Sequence, residues 1–298
     1  MTRPVYPNVL VMLGLDHRDE SVLEAVVDSA TRLGVKSVHV CHIDNRDPIG
    51  GPLQGLTSST PAEAPAELAA AAAQLADGLP EGVSVAAHHL VGPTEAVLVD
   101  AVDKHDVDLV VIGRNPAIDG QPGWGSSRRK LLRLTTCSVL VVPHNTKVDW
   151  TRVVCGMDFS QNARTALGVA CHGADSVDAV YQYDPQTVVE AGRKQEEFRQ
   201  QVAANARKIM ERDILPKVPG GAARPNLVVH PGGKVADVLI RYAESSPIVM
   251  GSRGLTPLAA LLLGSSADRV AGRALGPVLI VRQKGSVLGL LESLVYKA

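Results

Sequence analysis

Short apolar runs alternate with amphipathic segments along the whole chain. In the first half, the apolar runs are 8–16, which the carboxylate of Asp16 ends, 35–43, 83–90, 107–113 and 138–143. The segments between them have helical spacing, most clearly 21–33, which Gly34 ends, and the Ala-rich stretch 62–77, which Gly78 ends. Continuous apolar runs of this length, separated by helices, are typical of buried parallel strands. The pattern therefore predicts an α/β fold with right-handed β-α-β crossovers.

The same pattern begins again after a short linker at 143–151. The corresponding positions are Asp16 and Asp158 (142 apart), Gly113 and Gly251 (138), Gly125 and Gly264 (139), and Val141 and Ile280 (139). A nearly constant separation across a whole half indicates a domain duplication. We predict domains at 1–147 and 148–284, followed by a tail at 285–298 that packs on the protein or on a partner chain.

Composition excludes several classes of partner. Lys and Arg number 30 against 31 Asp and Glu, and aromatic residues make up 3% of the chain. Balanced charge and few aromatics argue against nucleic acid and membrane surfaces as partners. The amino terminus has no secretory apolar core, and the four cysteines are scattered, which favours a cytoplasmic protein with buried free thiols. No carboxylate or cysteine stands at ligand spacing around the nine histidines, so no metal site is predicted.

Two segments have less regular patterns. Residues 44–62 are rich in Gly, Pro, Ser and Thr and are predicted to form a loop. Residues 186–215 are predicted to contain one long charged helix of about seven turns. Its run of charges at 193–197 is best interpreted as a solvated face.

The second half ends in a glycine-rich motif. Gly251-Ser252-Arg253-Gly254 follows an apolar run, and Gly264-Ser265-Ser266 follows after nine further residues. Glycines let backbone amides approach an anion closely, and a helix amino terminus favours negative charge. Ser265 or Ser266 is expected to cap the next helix. No lysine precedes the serines, which argues against a lysine-dependent NTPase loop.

The spacing G-x2-G-x9-G-S, followed by the apolar run 277–281, resembles the ATP-binding subgroup of the universal stress protein family. This resemblance implies two tandem, doubly wound, five-stranded parallel sheets of the Rossmann-like, adenine nucleotide alpha hydrolase-like class, with strand order 3-2-1-4-5. It also implies ATP as the ligand, with or without Mg²⁺. In such sheets the carboxyl ends of the strands beside the switch in strand order form the ligand crevice.

The resemblance also assigns residues to that crevice. In the second half Asp158 would accept from the sugar hydroxyls or the base, although a strand-end Asp also serves as a helix cap. Met157 would line the pocket, Gln182 would lie where backbone groups meet the adenine edge, and Arg253 would pair with phosphate charge. The full set is Met157, Asp158, Gln182, Gly251, Ser252, Arg253, Gly254, Gly264, Ser265 and Ser266, and in the first half Asp16, Val40, Gly113, Gly125, Ser126 and Ser127.

The first half departs from the motif because Pro116 replaces the second glycine and the spacer before Gly125 has eight residues. Proline lacks an amide hydrogen and fixes φ, both unfavourable in an anion cradle. Weak binding, an altered pose and a purely structural role all remain open for this half.

Three functions fit the sequence. The leading hypothesis is a stress or regulatory protein that binds ATP in its second domain and uses occupancy to bias conformation or assembly. The alternatives are an enzyme, at most a slow ATPase, that turns over an adenylate in the same cradle, and a scaffold with empty sites. No catalytic motif is present. The last strands are expected to pair the two domains within one chain, and association of two chains stays open.

Overall fold

Each half of the chain folds around its own parallel sheet. The computed structural model describes residues 5–44, 63–114, 131–132, 134–185, 195–218, 223–252 and 264–282. The chain divides into two units, the first extending to Val148 and the second from Asp149 to Arg282.

The first unit alternates strands and helices as the apolar pattern predicts. Its described elements are β1 (Asn8–Met12), α1 (Asp19–Leu33), β2 (Ser37–Asp44), α2 (Ala64–Gly78), β3 (Ser84–Val91), α3 (Thr94–Lys104), β4 (Leu109–Arg114) and β5 (Ser138–Pro143). The strand order is β3-β2-β1-β4-β5, and every described pairing within the unit is parallel. This is the predicted order 3-2-1-4-5.

The second unit repeats the arrangement. Its described elements are β6 (Arg152–Met157), α4 (Gln161–Gly173), β7 (Ser176–Tyr183), α5 (Gln195–Ile209), β8 (Asn226–Pro231), α6 (Val235–Ala243), β9 (Ile248–Gly251), α7 (Ser265–Arg273) and β10 (Val278–Val281). Its order is β8-β7-β6-β9-β10, again with parallel pairings. In both units the first and fourth strands lie side by side where the order reverses.

The sheets are held by apolar burial on both faces. All six residues of β5 and all four of β9 and of β10 are buried. The four cysteines are buried free thiols, as predicted. Burial raises the pKa of the Cys171 thiol to about 11, so this group is neutral near pH 7.

The helix ends follow local chemistry. Gly34 ends α1 in the left-handed conformation, with φ of 71°, and its amide donates to the Ala30 carbonyl. Ser160 caps α4, since its side chain accepts from the Ala163 amide at 3.2 Å. None of the described helices is long and apolar enough to cross a membrane.

The long charged helix differs from its prediction. Residues 195–209 form α5, but 210–214 then form a π-helical turn and 215–217 a 3₁₀ turn. Pro216 cannot donate a helical hydrogen bond, which prevents the α-helix from continuing. The wider turn places Met210 and Ile214 in the core. Residues 186–194, the loop at 45–62 and the tail at 285–298 lie outside the described residues.

Candidate functional site

The candidate site of the second unit lies where β6 and β9 end. These strands pair in parallel, with Val154 opposite Ile248 and Cys155 opposite Val249. Continuing this register by two residues puts Met157 opposite Gly251. Asp158 and Ser252 therefore leave the same edge of the sheet, at the point where the strand order reverses. This is the position at which open α/β sheets form ligand crevices.

The carboxylate of Asp158 accepts one hydrogen bond from its own loop. Phe159 has a left-handed backbone, with φ of 62°, and turns the chain so that the Ser160 amide donates to Asp158 Oδ1 at 3.0 Å. Within the described part of the chain, the other carboxylate oxygen accepts no hydrogen bond. Asp158 is half-exposed. The residue thus stabilises the turn, and no described residue engages its second oxygen.

Met157 and Gln182 border the same edge. Met157 is buried, and its sulfur lies 3.3 Å from the Phe159 amide nitrogen. Gln182 is the penultimate residue of β7, is half-buried and is opposite His230 of β8. The Phe159 ring stands 4.9 Å from the ring of Tyr181, centroid to centroid. The floor of the edge is therefore apolar, with Gln182 as a polar group beside it.

Gly251 has a packing reason to be glycine. A Cβ at this position would lie 2.8 Å from the Cβ of Asn162 and 2.9 Å from its backbone carbonyl carbon. The missing side chain lets the first turn of α4 press against the end of β9. Glycine was predicted at this position to let a ligand approach the backbone closely. In the structure the close approach is made by α4, whether or not a ligand binds beside it.

Ser252 and Gly264 are brought together by the backbone. The Ser252 amide donates to the Val281 carbonyl at 3.1 Å, and the Gly264 amide donates to the Ser252 carbonyl at 2.8 Å. Ser252 is buried. The two ends of the motif are thus tied to each other, although Arg253 and Gly254 lie outside the described residues.

The start of α7 corrects one prediction. Neither Ser265 nor Ser266 caps this helix, because Gly264 occupies the capping position and has no side chain with which to accept from the first turn. Both serines lie inside the first turn, with Ser265 exposed and Ser266 half-exposed. The first amides of a helix have no intrahelical acceptor. The sequence Gly-Ser-Ser thus leaves the positive end of α7 without a side-chain cap.

The first unit is built differently after its first strand. Six residues, 13–18, join β1 to α1, whereas three, 158–160, join β6 to α4. Asp16 follows the left-handed residue Leu15 (φ of 58°), while Asp158 precedes the left-handed residue Phe159. Counted back from the helix, however, Asp16 and Asp158 are equivalent, because each stands two residues before the N-cap position of its helix and accepts the amide of the residue there. The longer loop was not recognisable from the apolar pattern.

Asp16 is engaged in an ion pair with Arg18. The Arg18 Nε donates to Asp16 Oδ1 at 2.8 Å, its Nη2 contacts Oδ2, and its amide donates to Oδ1 at 2.9 Å. These hydrogen bonds lower the pKa of Asp16 to about 2, against a smaller opposing effect of burial. Both carboxylate oxygens already have donors, so this residue is a weak candidate for ligand binding.

Asp19 was missed by the sequence interpretation. Its carboxylate accepts from three successive amides, those of Gly14 (3.0 Å), Leu15 (2.7 Å) and Asp16 (3.2 Å). Successive amides around one point form an anion-binding concavity. Here the protein's own carboxylate occupies it. The sequence signal that could have identified Asp19 is an acidic residue in the first turn of the helix that follows the central strand.

The remaining first-unit candidates line a small cavity or lie away from it. The cavity has a volume of about 100 Å³ and is lined by Met12, Leu13, Gly14, Asp16, Arg18, Asp19, Ile112, Gly113, Arg114, Leu131, Val142 and His144. Typical small-molecule sites enclose about 300–1,000 Å³. Val40 is fully buried in mid-strand between β1 and β3 and is not among these residues. Gly125, Ser126 and Ser127 lie outside the described residues.

Duplicated five-stranded parallel sheets, each with its strand order reversing beside the first strand, define a tandem, Rossmann-like α/β protein. The sequence model of the universal stress protein family matches residues 6–143 and 149–282. The chain therefore belongs to the universal stress protein family and carries two copies of its domain. Comparison with curated proteins found no match.

Solved structures share the fold over nearly the whole chain. A universal stress protein from Archaeoglobus fulgidus DSM 4304 is 18% identical, with 93% of this chain and 97% of that chain covered and a TM-score of 0.63. A functionally unknown protein from Pseudomonas aeruginosa PAO1 is 18% identical, with 98% of each chain covered and a TM-score of 0.66. A putative universal stress protein from Pseudomonas aeruginosa UCBPP-PA14 is 18% identical, with 97% of each covered and a TM-score of 0.62. At this identity the likeness establishes the fold alone.

Proposed function

We propose that this protein binds ATP at the carboxyl edge of its second unit and uses occupancy to bias its conformation or assembly as a stress-responsive regulator. The observation that carries the proposal is Asp158, whose second carboxylate oxygen has no partner within the described residues and lies at the strand reversal. A half-satisfied carboxylate at such an edge suits the hydroxyls of a ribose.

The phosphates would meet the start of α7. The amides of Ser265, Ser266 and Ala267 are the first of the helix, and Gly264 at the capping position has no side chain to accept from them. Amides at a helix start, together with the helix dipole, favour a polyphosphate. Arg253 and Gly254 complete the motif in the sequence and are assigned here to the phosphate end. Mg²⁺ would accompany the phosphates.

We assign no ATP site to the first unit. The carboxylate of Asp19 accepts hydrogen bonds from the amides that follow β1, and the guanidinium of Arg18 donates to the carboxylate of Asp16. An anionic ligand would have to displace one carboxylate and would be repelled by the other. The proline at 116 further weakens the motif of this half.

The test is equilibrium binding of ATP, with and without Mg²⁺, to the wild type and to Asp158→Asn. Asparagine keeps an oxygen for the Ser160 amide, so the turn should survive, but a charge-assisted hydrogen bond to the ligand is lost. Such bonds contribute about 1.5–3 kcal/mol, which predicts affinity lower by about tenfold or more.

Asp16→Asn is the matched control, because it makes the same change in the first unit and should leave ATP affinity within about twofold. Equal affinity of Asp158→Asn and wild type would refute the proposed site. Sustained product formation over many equivalents per chain would instead favour the enzyme.

A further inference from the structure

Three histidines outside the candidate ATP site meet on one face of the first unit. His39 lies on β2, His88 on β3, and His105 directly follows α3. The strand register puts His39 opposite Ala86 and His88 opposite Cys41, so both histidines point to the same side of the sheet. α3 packs against β2 and β3 and delivers the third ring.

The rings converge closely. His39 Nδ1 lies 3.0 Å from His88 Nε2, and the ring of His105 stands 4.2 Å from that of His39 and 4.6 Å from that of His88, centroid to centroid. One nitrogen from each ring falls within 4.8 Å of the other two. Tetrahedral zinc with Zn–N distances near 2.0–2.1 Å requires nitrogens about 3.3 Å apart. Small side-chain rotations would bring the three nitrogens to that spacing.

The donor set selects the kind of ion. Neutral imidazole suits zinc, copper and nickel, whereas Mg²⁺ and Ca²⁺ require oxygen ligands. Burial lowers the pKa of His39 to about 4 and also lowers the pKa values of His88 and His105, in each case with help from neighbouring positive charge. The imidazoles are therefore neutral near pH 7, the form that binds a metal.

The surrounding charges are modest. Lys104 lies close enough to disfavour positive charge on His88 and His105. His105 also stands at the carboxyl end of α3, where the helix dipole favours a cation. These two effects oppose each other, so binding of an ion depends mainly on coordination by the imidazole nitrogens of the three histidines.

We propose that His39, His88 and His105 form a binding site for one divalent transition-metal ion, with zinc as the best-suited ion and a fourth position open to water. This site is independent of the ATP proposal, because it lies in the first unit and shares no residue with the candidate ATP site. The bound ion would tie β2, β3 and the end of α3 together and stabilise the first unit by mass action.

Without a metal, the same geometry is a hydrogen bond between two neutral imidazoles, with the ring of His105 stacked on His39 and tilted against His88. The two interpretations differ in their response to added metal. A hydrogen-bonded cluster has no zinc affinity of its own, whereas three preformed ligands should bind one equivalent and lose affinity when any ring is removed.

The test uses chelator-treated full-length protein, titrated with Zn²⁺ by calorimetry and with Co²⁺ by visible absorption, which reports tetrahedral coordination. Wild type is expected to bind one equivalent of each, to melt at a higher temperature with Zn²⁺, and to show no such response to Mg²⁺. His88→Gln should weaken Zn²⁺ binding at least about tenfold, since even changes around metal ligands cost about 10- to 100-fold.

His89→Gln is the matched control, because His89 is the next residue of β3, points to the other face and stacks on His42. It should leave Zn²⁺ affinity unchanged. His105→Gln, at a helix end, provides a second ligand variant if His88→Gln is poorly folded. Failure of the wild type to bind Zn²⁺ or Co²⁺, or equal affinity in both ligand variants and the control, would overturn the proposal.

Discussion

At the scale of single residues, similar aspartates have different chemistry in the two units. Asp158 accepts one amide and keeps an oxygen available, whereas Asp16 binds Arg18 through both oxygens and Asp19 closes three amides. The family resemblance assigned a ligand role to both Asp16 and Asp158. Both accept the amide two residues on, and the difference is the guanidinium of Arg18, which also donates to Asp16.

The Asp16–Arg18 pair predicts a pH-dependent effect of Arg18→Gln. Because Arg18 lowers the pKa of Asp16 in the folded state, the pair stabilises the fold above the unfolded pKa near 3.9, and this contribution is lost as pH falls through about 2. The pair is partly exposed, so we expect a loss below about 1 kcal/mol near neutral pH.

Urea denaturation of the wild type and Arg18→Gln between about pH 6 and pH 2.5 measures this. The stability difference should shrink toward the acidic end. Lys147→Gln is the control, since its 3.6 Å contact with Glu24 is exposed and should contribute little at any pH. A difference that grows on acidification would contradict the assignment.

At the scale of elements, the apolar pattern predicted the strands well. In the first unit, the predicted and observed bounds coincide for β5 and differ by one or two residues at the ends of β2, β3 and β4, whereas the first apolar run extends to Asp16, four residues beyond the end of β1. Buried parallel strands are readable because both faces must be apolar. The π-helical turn after α5 and the longer loop after β1 could not be predicted, because neither changes the spacing of the apolar residues.

The cluster of His39, His88 and His105 shows the same limit. Each histidine is separated from the next in sequence by the length of one or more elements, so no ligand spacing was visible. Strand order and register were needed to bring the rings to one face. The strand order 3-2-1-4-5 makes the second and third strands neighbours, but the rotation of α3 was not available from spacing.

The contact between β9 and α4 predicts that Gly251→Ala destabilises the protein. The added Cβ would press on the backbone of Asn162, which cannot move without shifting the helix, and such overpacking costs about 1–3 kcal/mol. Gly113→Ala is the matched change in the first unit. Among the described residues, the Cβ there would meet only a methyl of Val22 at 3.1 Å, so a smaller loss is expected.

The free energy of unfolding of both variants, measured in denaturant, separates the two cases. Gly251→Ala should lose more stability than Gly113→Ala. An equal loss, or none in either, would show that α4 does not press on β9 as described.

The uncapped start of α7 predicts opposite effects of Ser265→Asp on stability and on binding. A negative charge in the first turn should stabilise the helix by about 0.3–1 kcal/mol. The same charge should repel the phosphates and weaken ATP binding about tenfold, while adenosine binding stays the same. Ser265 is exposed, so packing should not be disturbed.

Thermal unfolding and parallel titrations with ATP and adenosine measure both effects. Ser265→Asn, which is polar but uncharged, is the control and should resemble the wild type in both titrations. Undiminished ATP affinity in Ser265→Asp would remove α7 from the phosphate site.

At the scale of the whole molecule, one fold has been duplicated and the copies have diverged at their ligand edges. Both units keep the strand order and the apolar core, which the repeat in the sequence made predictable. The loop after the first strand differs between the two units. In the first unit, the carboxylates of Asp16 and Asp19 are hydrogen-bonded within this region. If the second unit binds ATP as proposed, the two copies should therefore contribute unequally to nucleotide binding.

The most direct measurement is the number of ATP molecules bound per chain at saturation, determined by equilibrium dialysis with the wild type and Asp158→Asn. The account predicts one ATP per wild-type chain, with affinity reduced about tenfold or more by the substitution. Two equivalent sites per chain, or a single site whose affinity Asp158→Asn leaves unchanged, would contradict it.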